Sequence, residues 1–428
     1  MPNVYIKTYG CSANQSESEI MAGLLEKANY TVVGNVNNAD LIIVNTCWVK
    51  QVSEQKIIFY LKDIQNKHPD KKIIVTGCAP EAAYKKIVDT SPNASLVSTH
   101  HVTKIAQAVQ KTLEGKRVEF LGESKEIKLC LPKIRKNPVI NIVEISRGCN
   151  GNCTYCATKL AKGRIFSFPK EKIIEEIKNS INQGCKELWL TAQDTACYGF
   201  DENGVRLPEL IKEITKISGN FFVRSGMMNP NNVLPILSEL LSAYRNEKIY
   251  KFLHLPVQSG DNEILGKMNR SYRVEDFEKI VKNFEENFKF QLWTDVIVGY
   301  PNETKEQFER TIELINRIKP DWVNVSKFGA RAETEAAKLK PLPSDVVKER
   351  SRIASEVVRK ISLEKNKEWI GWTGKILISE KGKKAGQWIG RNFAYKPILI
   401  ERKENLSGKF TEVEVVGATH SHLVGLLR

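Results

Sequence analysis

Residues 147–156 read Arg-Gly-Cys-Asn-Gly-Asn-Cys-Thr-Tyr-Cys, so that three and then two residues separate Cys149, Cys153 and Cys156. Three thiolates on one short loop can bind three corners of a cubane [4Fe–4S] cluster, and the absent fourth thiolate leaves one iron open to another molecule. The main alternative is zinc. Structural zinc sites favour two paired knuckles of Cys or His, however, and no second pair lies nearby. The spacing therefore favours a redox cluster.

The cluster loop follows the first of six predicted strands in the middle of the chain. The predicted strands are Val139–Ile145, Glu187–Ala192, Phe221–Arg224, Phe252–Val257, Leu292–Val298 and Trp322–Phe328. The helical patterns after the first five are Lys170–Asn182, Leu207–Ile217, Val233–Ala243, Val274–Asn287 and Lys305–Arg317. Repeated strand–helix units imply right-handed crossovers and a partial (β/α)6 barrel, whose chemistry lies at the carboxyl ends of its strands.

Polar residues follow several of these strands and are expected at one mouth of the barrel. Gln193 and Asp194 follow the second strand, Arg224 ends the third, and Gln258 follows the fourth. Each of them alone is typical of a cap or a turn. Together they predict a pocket beside the cluster loop.

A second trio of cysteines is predicted in the amino-terminal segment, where strands alternate with helices. The predicted strands are Val4–Tyr9, Asp40–Asn45 and Lys72–Thr76, and the helical stretches are Gln15–Lys27, Val49–Asn66 and Pro80–Val88. This alternation favours an open parallel sheet, in which ligands bind beyond the carboxyl ends of the strands. Cys11, Cys47 and Cys78 each follow one strand. Three buried thiols can also pack as small hydrophobes, but their equivalent positions favour a second iron–sulfur site.

Composition limits the class of protein. The 428 residues carry a net charge of +15, and the length predicts several domains. Such an excess of positive charge is typical of a partner of nucleic acid, although a lysine-rich or thermophile-type surface would give the same value. No apolar run approaches a membrane helix, and the start lacks a signal peptide. Nine cysteines without disulfide-scaffold density indicate a reducing interior, so we expect a cytosolic protein without a membrane partner.

The carboxyl-terminal segment is predicted as a small β-barrel, a fold often used to bind nucleic acid. Its strands are Gly374–Ser379, Gly386–Arg391, Pro397–Glu401 and Thr411–Val416. The basic residues proposed to contact RNA are Lys381, Lys383, Lys384, Arg391, Arg402 and Lys403. Trp388, Phe393 and Tyr395 could stack on bases or form the core of the barrel, and we expect some of them to be core.

Along essentially its whole length the chain resembles the methylthiotransferase family of radical S-adenosylmethionine enzymes. Besides residues 149–156, the matching motifs are Tyr9–Asn14, Asn45–Cys47, Thr76–Cys78, Leu255–Gly260 and Asp295–Pro301, and the tail is similar to the family's TRAM domain. We expect a methylthiotransferase domain at residues 1–115, a linker at 116–137, a radical S-adenosylmethionine domain at 138–366 and a TRAM domain at 367–428.

Two stretches are similar to the archaeal and eukaryotic branch of the family. They are Leu190–Gly199 and Gly226–Pro230. This resemblance implies methylthiolation of N6-threonylcarbamoyladenosine at position 37 of tRNA. Sister branches act on N6-isopentenyladenosine in tRNA or on an aspartate of a ribosomal protein, and they are the alternatives. The chain departs from many relatives at Glu333, where they carry glycine.

The resemblance also implies two [4Fe–4S] clusters and S-adenosylmethionine, which serves as methyl donor and radical source. The Cys149/Cys153/Cys156 cluster would bind S-adenosylmethionine, and the Cys11/Cys47/Cys78 cluster would carry the sulfur. The residues expected to contact S-adenosylmethionine are Tyr155, Gln193, Asp194, Arg224 and Gln258, with Lys159 and Arg164 as alternatives for its polar ends. The implied partners are the tRNA anticodon stem-loop and an electron donor such as ferredoxin or flavodoxin.

Two other classes of protein are possible from the residues alone. A ferredoxin-like electron carrier would ligate its clusters fully and would need neither the barrel nor the basic tail. A zinc-containing RNA-binding protein would have no catalytic centre. Two sites with three cysteines each disfavour both classes.

Overall fold

The structure, a computed structural model, describes residues 1–48, 51–201 and 204–428. The first unit, here called the N-terminal sheet, is a six-stranded parallel sheet of order β2-β1-β3-β4-β5-β6 covered by helices. Its elements are β1 Asn3–Thr8, α1 Ser12–Lys27, β2 Thr31–Val33, β3 Leu41–Thr46, α2 Gln51–Lys67, β4 Lys72–Gly77, α3 Ala79–Ala82, α4 Tyr84–Thr90, β5 Ser95–Ser98, α5 Ile105–Leu113 and β6 Glu119–Phe120. The predicted open parallel sheet is confirmed.

Three strands of this sheet were not individually predicted. Strands β2, β5 and β6 have two to four residues each, too short for an apolar period to be visible. Strand β6 lies in the expected linker and pairs with β5 at the sheet edge. The predicted start of the second helix at Val49 lies outside the described residues.

The second unit, here called the central barrel, contains six parallel strands in sequential order. Two three-stranded sheets, β7-β10-β11 and β12-β13-β14, are joined by a bridge between Val223 and Ile249. Its elements are β7 Ile140–Glu144, β8 Ser146–Arg147, α6 Thr158–Lys162, β9 Phe166–Ser167, α7 Lys170–Asn182, β10 Glu187–Thr191, α8 Leu207–Thr215, β11 Phe222–Ser225, α9 Pro230–Val233, α10 Leu237–Tyr244, β12 Phe252–His254, α11 Asn262–Lys267, α12 Val274–Asn287, β13 Gln291–Val298, α13 Lys305–Ile318, β14 Trp322–Lys327 and α14 Ser344–Lys367. The predicted partial barrel is confirmed.

Side chains of the barrel strands alternate between the surrounding helices and the interior. In β13, Leu292, Val296 and Val298 are buried under the helices, whereas Trp293 and Asp295 are only half-buried. The interior is therefore partly open and lined by polar as well as aromatic groups, which suits a chamber for a ligand.

The third unit, here called the C-terminal barrel, is a closed five-stranded barrel of order β15-β16-β17-β19-β18. Its strands are β15 Thr373–Lys381, β16 Gln387–Arg391, β17 Pro397–Glu401, β18 Phe410–Ala418 and β19 Leu423–Leu427. The predicted small β-barrel is confirmed, and β19 is an additional strand that closes it between β17 and β18.

The C-terminal barrel packs against the amino ends of the central strands. The ring of Tyr395 lies 4.8 Å from that of Tyr250 and 5.0 Å from that of Phe252. The ammonium of Lys396 is buried 2.6 Å from the carboxylate of Asp321, directly before β14. The C-terminal barrel therefore covers the floor of the central barrel, at the amino ends of the central strands. The carboxyl ends of the central strands remain accessible to the N-terminal sheet.

The N-terminal sheet reaches the edge of the open barrel through α1. The hydroxyl of Ser16 donates to the carbonyl of Ile142 in the edge strand β7, over 3.1 Å. Among the described residues, no helix is both long and apolar enough to cross a membrane.

Candidate metal centre

The loop of Cys149, Cys153 and Cys156 leaves the barrel after β8 and folds back on residues 163–164. Gly148 makes this possible, because its φ of 81° is left-handed and a Cβ there would lie 1.9 Å from the carbonyl oxygen of Arg164. Gln193 supports the same turn, since its side-chain oxygen accepts from the Gly148 amide over 2.6 Å.

Each sulfur of this loop accepts a hydrogen bond. The amide of Gly151 donates to Cys149 over 3.2 Å, and the amide of Thr158 donates to Cys156 over 3.4 Å. The guanidinium of Arg270 donates to Cys153 over 3.3 Å. Donors directed at sulfur favour the thiolate form and raise the reduction potential of a bound cluster.

The space around the sulfurs fits a cluster. A Cβ on Gly151 would lie 3.4 Å from the sulfur of Cys149 and 3.8 Å from that of Cys153, so the absent side chain leaves room between the thiols. Within the described part of the chain, no three Cys, His, Asp or Glu side chains converge on a point where one metal ion could bind. A cubane cluster does not need such convergence, because each thiolate binds a different iron.

Burial raises the pKa of two thiols of this loop. It raises the pKa of Cys149 to about 11 and also raises that of Cys156. In the N-terminal sheet, burial raises the pKa of Cys78 to about 12. Metal binding at either trio must therefore release protons, because the thiolate is the ligand.

The structure brings Cys11, Cys47 and Cys78 together at the carboxyl ends of β1, β3 and β4. The left-handed Gly10, with φ of 124°, brings the first two together, since a Cβ there would lie 2.6 Å from the Cβ of Cys47. The backbone amide of Cys78 donates to the carbonyl of Thr46 over 2.9 Å. This arrangement places three thiols at one edge of the sheet, of which Cys11 is exposed and Cys47 and Cys78 are buried.

Two buried asparagines fix this edge of the N-terminal sheet. The amide of Asn14 donates to the side chain of Asn45 over 3.0 Å and to the carbonyl of Thr46 over 2.8 Å, while the Cys11 thiol donates to Asn14 over 3.3 Å. Both asparagines lie in the quoted motifs, but sequence reasoning gave them no role. Buried amides that bond backbone across strands are the signal that identifies them as structural braces.

Besides Gln193, three of the residues expected to contact S-adenosylmethionine lie in the cluster loop or shortly after it, and Gln258 follows β12. Tyr155 is packed against Tyr300 and neighbouring apolar residues. Gln258 is left-handed, with φ of 68°, and its backbone bridges to β13. Lys159 lies 2.5 Å from the side-chain oxygen of Asn152 within the loop, and Arg164 is exposed.

Asp194 is held by hydrogen bonds near the cluster loop, whereas Arg224 is engaged elsewhere, which corrects its expected position. The carboxylate of Asp194 is buried and accepts from the Asn232 amide over 2.7 Å and from the backbone of Ala196 over 3.0 Å. It stabilises the loop after β10, and its charge contributes to the raised pKa of the nearby Cys149 thiol. The guanidinium of Arg224 lies 5.3 Å from the ring centre of Tyr395 at the barrel floor, because its side chain turns away from the strand end.

Five of the six basic residues proposed for RNA lie at one end of the C-terminal barrel. Lys381 is exposed at the end of β15, and Lys383 and Lys384 are exposed in the loop that follows. The Arg402 amide donates to the carbonyl of Gly386 over 2.7 Å. Lys403 is exposed beside Arg402. These five residues are here called the basic edge.

Arg391 and the aromatic residues of this barrel are placed differently. The Arg391 guanidinium pairs with the Glu380 carboxylate over 2.6 Å and lies 4.3 Å from the ring centre of Tyr395. It is therefore paired within the C-terminal barrel and only half-buried, so it does not belong to the exposed residues proposed to contact RNA. Trp388 and Tyr395 are buried, as expected for core residues, and Phe393 is partly buried.

Arg270 is a residue that sequence reasoning missed. Besides Cys153, its guanidinium donates to Asn229 over 2.9 Å and its Nε donates to the Tyr272 hydroxyl over 3.0 Å. The only sequence signal was a basic residue shortly after the fourth predicted strand, in the turn that follows α11. Glu333, the departure noted above, adopts a left-handed φ of 65°, which explains why glycine suits that position.

Comparisons with known proteins agree with this geometry. A profile described as "Uncharacterized protein family UPF0004" matches residues 3–99, and one described as "Radical SAM superfamily" matches residues 143–315. The fold resembles that of the radical S-adenosylmethionine methyltransferase TsrM from Kitasatospora setae, solved with cobalamin and a [4Fe-4S] cluster bound. The TM-score is 0.60 at 13% identity over 78% of this chain and 74% of that one. The fold and the cysteine loop thus define a radical S-adenosylmethionine protein.

Relatives of nearly full length specify the family. The "Probable threonylcarbamoyladenosine tRNA methylthiotransferase" of Pyrococcus horikoshii is 45% identical over 99% of both chains. The human "Threonylcarbamoyladenosine tRNA methylthiotransferase" is 34% identical over 96% of this chain and 72% of its own length. The chain belongs to the threonylcarbamoyladenosine tRNA methylthiotransferase family.

Proposed function

We propose that this protein is a tRNA-modifying transferase, which converts N6-threonylcarbamoyladenosine at position 37 to its 2-methylthio derivative. The observation that carries this conclusion is the full-length similarity to enzymes of that name, in a chain whose barrel presents a three-cysteine cluster loop. S-adenosylmethionine and a [4Fe–4S] cluster are the cofactors of this class.

The chemistry explains why such a site is needed. Carbon 2 of adenine is neither acidic nor electrophilic, so acid–base side chains cannot readily replace its hydrogen. The cluster and S-adenosylmethionine, when bound, supply a radical that can remove this hydrogen. Cys149, Cys153 and Cys156 would hold the cluster, while Gln193 and Arg270 keep the loop in place.

We further propose that Cys11, Cys47 and Cys78 hold a second [4Fe–4S] cluster that presents the sulfur. Support comes from their convergence at one sheet edge and from Gly10, whose missing side chain lets the first two approach. The N-terminal sheet contacts the barrel edge near both trios, for example through a hydroxyl pair of Ser12 and Thr191 at 3.2 Å. Two separate clusters allow electron transfer and group presentation to occur at different irons.

The basic edge is the proposed contact for the tRNA anticodon stem-loop, and we assign the C-terminal barrel to the TRAM class on this ground. An exposed cluster of like charges is the expected footprint of a phosphate backbone. A cytosolic location and a ferredoxin- or flavodoxin-type reductant follow from the tRNA substrate and from the need for a low-potential electron.

The test is to express the chain in cells lacking the activity and to analyse tRNA nucleosides by mass spectrometry. We expect 2-methylthio-N6-threonylcarbamoyladenosine with the native chain. Cys153→Ala should abolish formation of 5′-deoxyadenosine, whereas Cys47→Ala should retain it and lose the methylthio product. Cys185→Ala, a buried thiol outside both trios, is the matched control. A methylthio product on N6-isopentenyladenosine alone would assign the chain to a sister activity.

A further inference from the structure

Lys162, at the end of α6, connects the central barrel to the N-terminal sheet. Its side chain is 2% exposed, and its ammonium lies 2.9 Å from the carboxylate of Glu17 and 2.5 Å from the hydroxyl of Thr99. Glu17 also pairs with Lys128 over 2.7 Å. A barrel residue only six positions after Cys156 is thus held inside the N-terminal unit.

Helix α6 lies directly against the Cys78 turn. Ala161 is buried in the same apolar cluster as Cys78 and Ala79, the first residue of α3. Burial alone would lower the pKa of Lys162, but the carboxylates of Glu17 and Glu144, and also Cys78, raise it above its ordinary value. The ammonium therefore stays charged beside this cysteine.

Arg331 makes an equivalent contact from the opposite edge of the partial barrel. It follows β14, is 5% exposed, and its guanidinium lies 2.6 Å from the Glu54 carboxylate of α2. Burial lowers the pKa of Arg331, while the charges of Glu54 and Cys47 oppose this effect. Through Glu54, Arg331 is thus docked on α2, the helix that follows Cys47 in the chain.

The two contacts share one pattern. Each cation comes from the barrel, each pairs with a carboxylate of the N-terminal sheet, and each lies near a different cysteine of that sheet. Three thiolates around a [4Fe–4S] core of charge 2+ leave a net negative charge. A buried negative charge is costly unless cations or hydrogen-bond donors compensate it.

We propose that Lys162 and Arg331 are positioning residues of the Cys11/Cys47/Cys78 site. The N-terminal sheet supplies its thiolates, and the central barrel supplies the positive charge that holds an anionic cluster there. The auxiliary site is therefore complete only when the two units are docked. This inference rests on the proposed second cluster.

The experiment measures the reduction potential of the auxiliary cluster in full-length protein that carries Cys149→Ala, Cys153→Ala and Cys156→Ala, so that only one cluster contributes. Nearby cations stabilise the reduced, more negative cluster. Lys162→Gln and Arg331→Gln should therefore each shift the reduction potential to more negative values. The potential is measured by redox titration monitored by EPR. Lys162→Arg and Arg331→Lys should retain the native potential. Lys172→Gln, at an exposed position on α7, is the matched control.

A complementary variant keeps both cations and removes a carboxylate. Glu54→Gln frees Arg331 from its anionic partner, so the potential should shift to less negative values. This variant also decides the case in which the Gln variants at 162 or 331 do not fold. Unchanged potentials in all folded variants with full iron content would overturn the inference.

A failure of the proposed function would give a different result from a failure of this inference. If the parent with three alanines binds no iron at all, the second cluster does not exist, and the proposed function loses its auxiliary site. The other case is a parent that binds about four irons, as one cubane requires. If its reduction potential then stays the same when residues 54, 162 and 331 are replaced, only the positioning role is wrong.

Discussion

The guanidinium of Arg270 donates a hydrogen bond to the sulfur of Cys153 over 3.3 Å, although 117 residues separate them. The same guanidinium bonds Asn229, and its Nε bonds Tyr272, so three parts of the barrel fix its orientation. Burial would lower the pKa of Arg270, but the charges of Tyr272, Tyr155 and Cys153 raise it. A fixed cation thus lies beside one ligand of the cluster loop.

Arg270→Gln is expected to weaken the cluster of that loop. Partners of metal ligands typically change affinity or activity by about 10–100-fold when removed, so formation of 5′-deoxyadenosine should fall within that range. Arg270→Lys should recover part of it, because a single ammonium replaces the charge but not the fork of donors. The reduction potential of this cluster, measured by EPR titration, should become more negative. Arg245→Gln, an exposed arginine after α10, is the control; equal rates in both variants would contradict the role.

Alanine at Gly148 or Gly10 should remove one cluster each. A Cβ would lie 1.9 Å from the Arg164 carbonyl oxygen in the first case and 2.6 Å from the Cys47 Cβ in the second, and both backbones are left-handed. Each variant should retain about four of eight irons per reconstituted chain, since a cubane contains four. Gly122→Ala, at a left-handed position with no atom within 4 Å, should keep the full count. A full count of eight irons in either test variant would contradict the requirement for glycine at that position.

Stability should depend on pH through Glu17. Burial would raise the pKa of this carboxyl, but Lys128 and Lys162 lower it from 4.5 to about 2. A lowered folded-state pKa contributes stability above about pH 4.5 that is lost as the pH falls through about 2.

Urea unfolding of the apoprotein at pH 6 and pH 3 measures this contribution. Between these pH values the native chain should lose about 2 kcal/mol more stability than Glu17→Gln. Glu171→Gln, at an exposed position of α7, serves as the control and should behave like the native chain. The same loss in the Glu17 variant would show that this carboxyl is not responsible.

The basic edge should determine the salt dependence of tRNA binding. Replacing Lys381, Lys383 and Lys384 with Gln should reduce the slope of log affinity against log salt by about 2, or about 0.7 per phosphate contact with single-stranded RNA. The matched control replaces Lys216, Lys282 and Lys305, three exposed lysines on barrel helices. Filter binding over a salt series gives both slopes. Equal slopes for the two triple variants would show that the RNA-binding surface lies elsewhere.

The sequence predicted the three architectures because each has a local signature. Alternating strands and helices placed Cys11, Cys47 and Cys78 at strand ends, and the structure brings these ends together at one edge of a parallel sheet. The spacing of the second trio identified its loop without knowledge of the fold. Short strands such as Ser95–Ser98 were missed, because four residues carry no visible periodicity.

Side-chain direction at the strand ends was decided by tertiary packing. Asp194 follows its strand as predicted, yet Asn232 and nearby backbone amides take up its carboxylate. The side chain of Arg224 is directed to the floor of the central barrel, where it lies beside the ring of Tyr395 from the C-terminal barrel. Asn232 and Tyr395 are both distant in sequence, so no local pattern could indicate these two contacts, whereas the bond from the Ala196 amide is a local cap.

By itself, the sequence predicted the six cysteines as ligands and determined the order of strands and helices and the family, since these depend on residue type and spacing along the chain. Only the tertiary structure decided which charges surround the cysteines. Arg270 reaches Cys153, and Lys162 and Arg331 reach the N-terminal sheet, through contacts across as many as 277 residues. Such contacts depend on how the units dock, and docking is set by burial and charge pairing over the whole molecule.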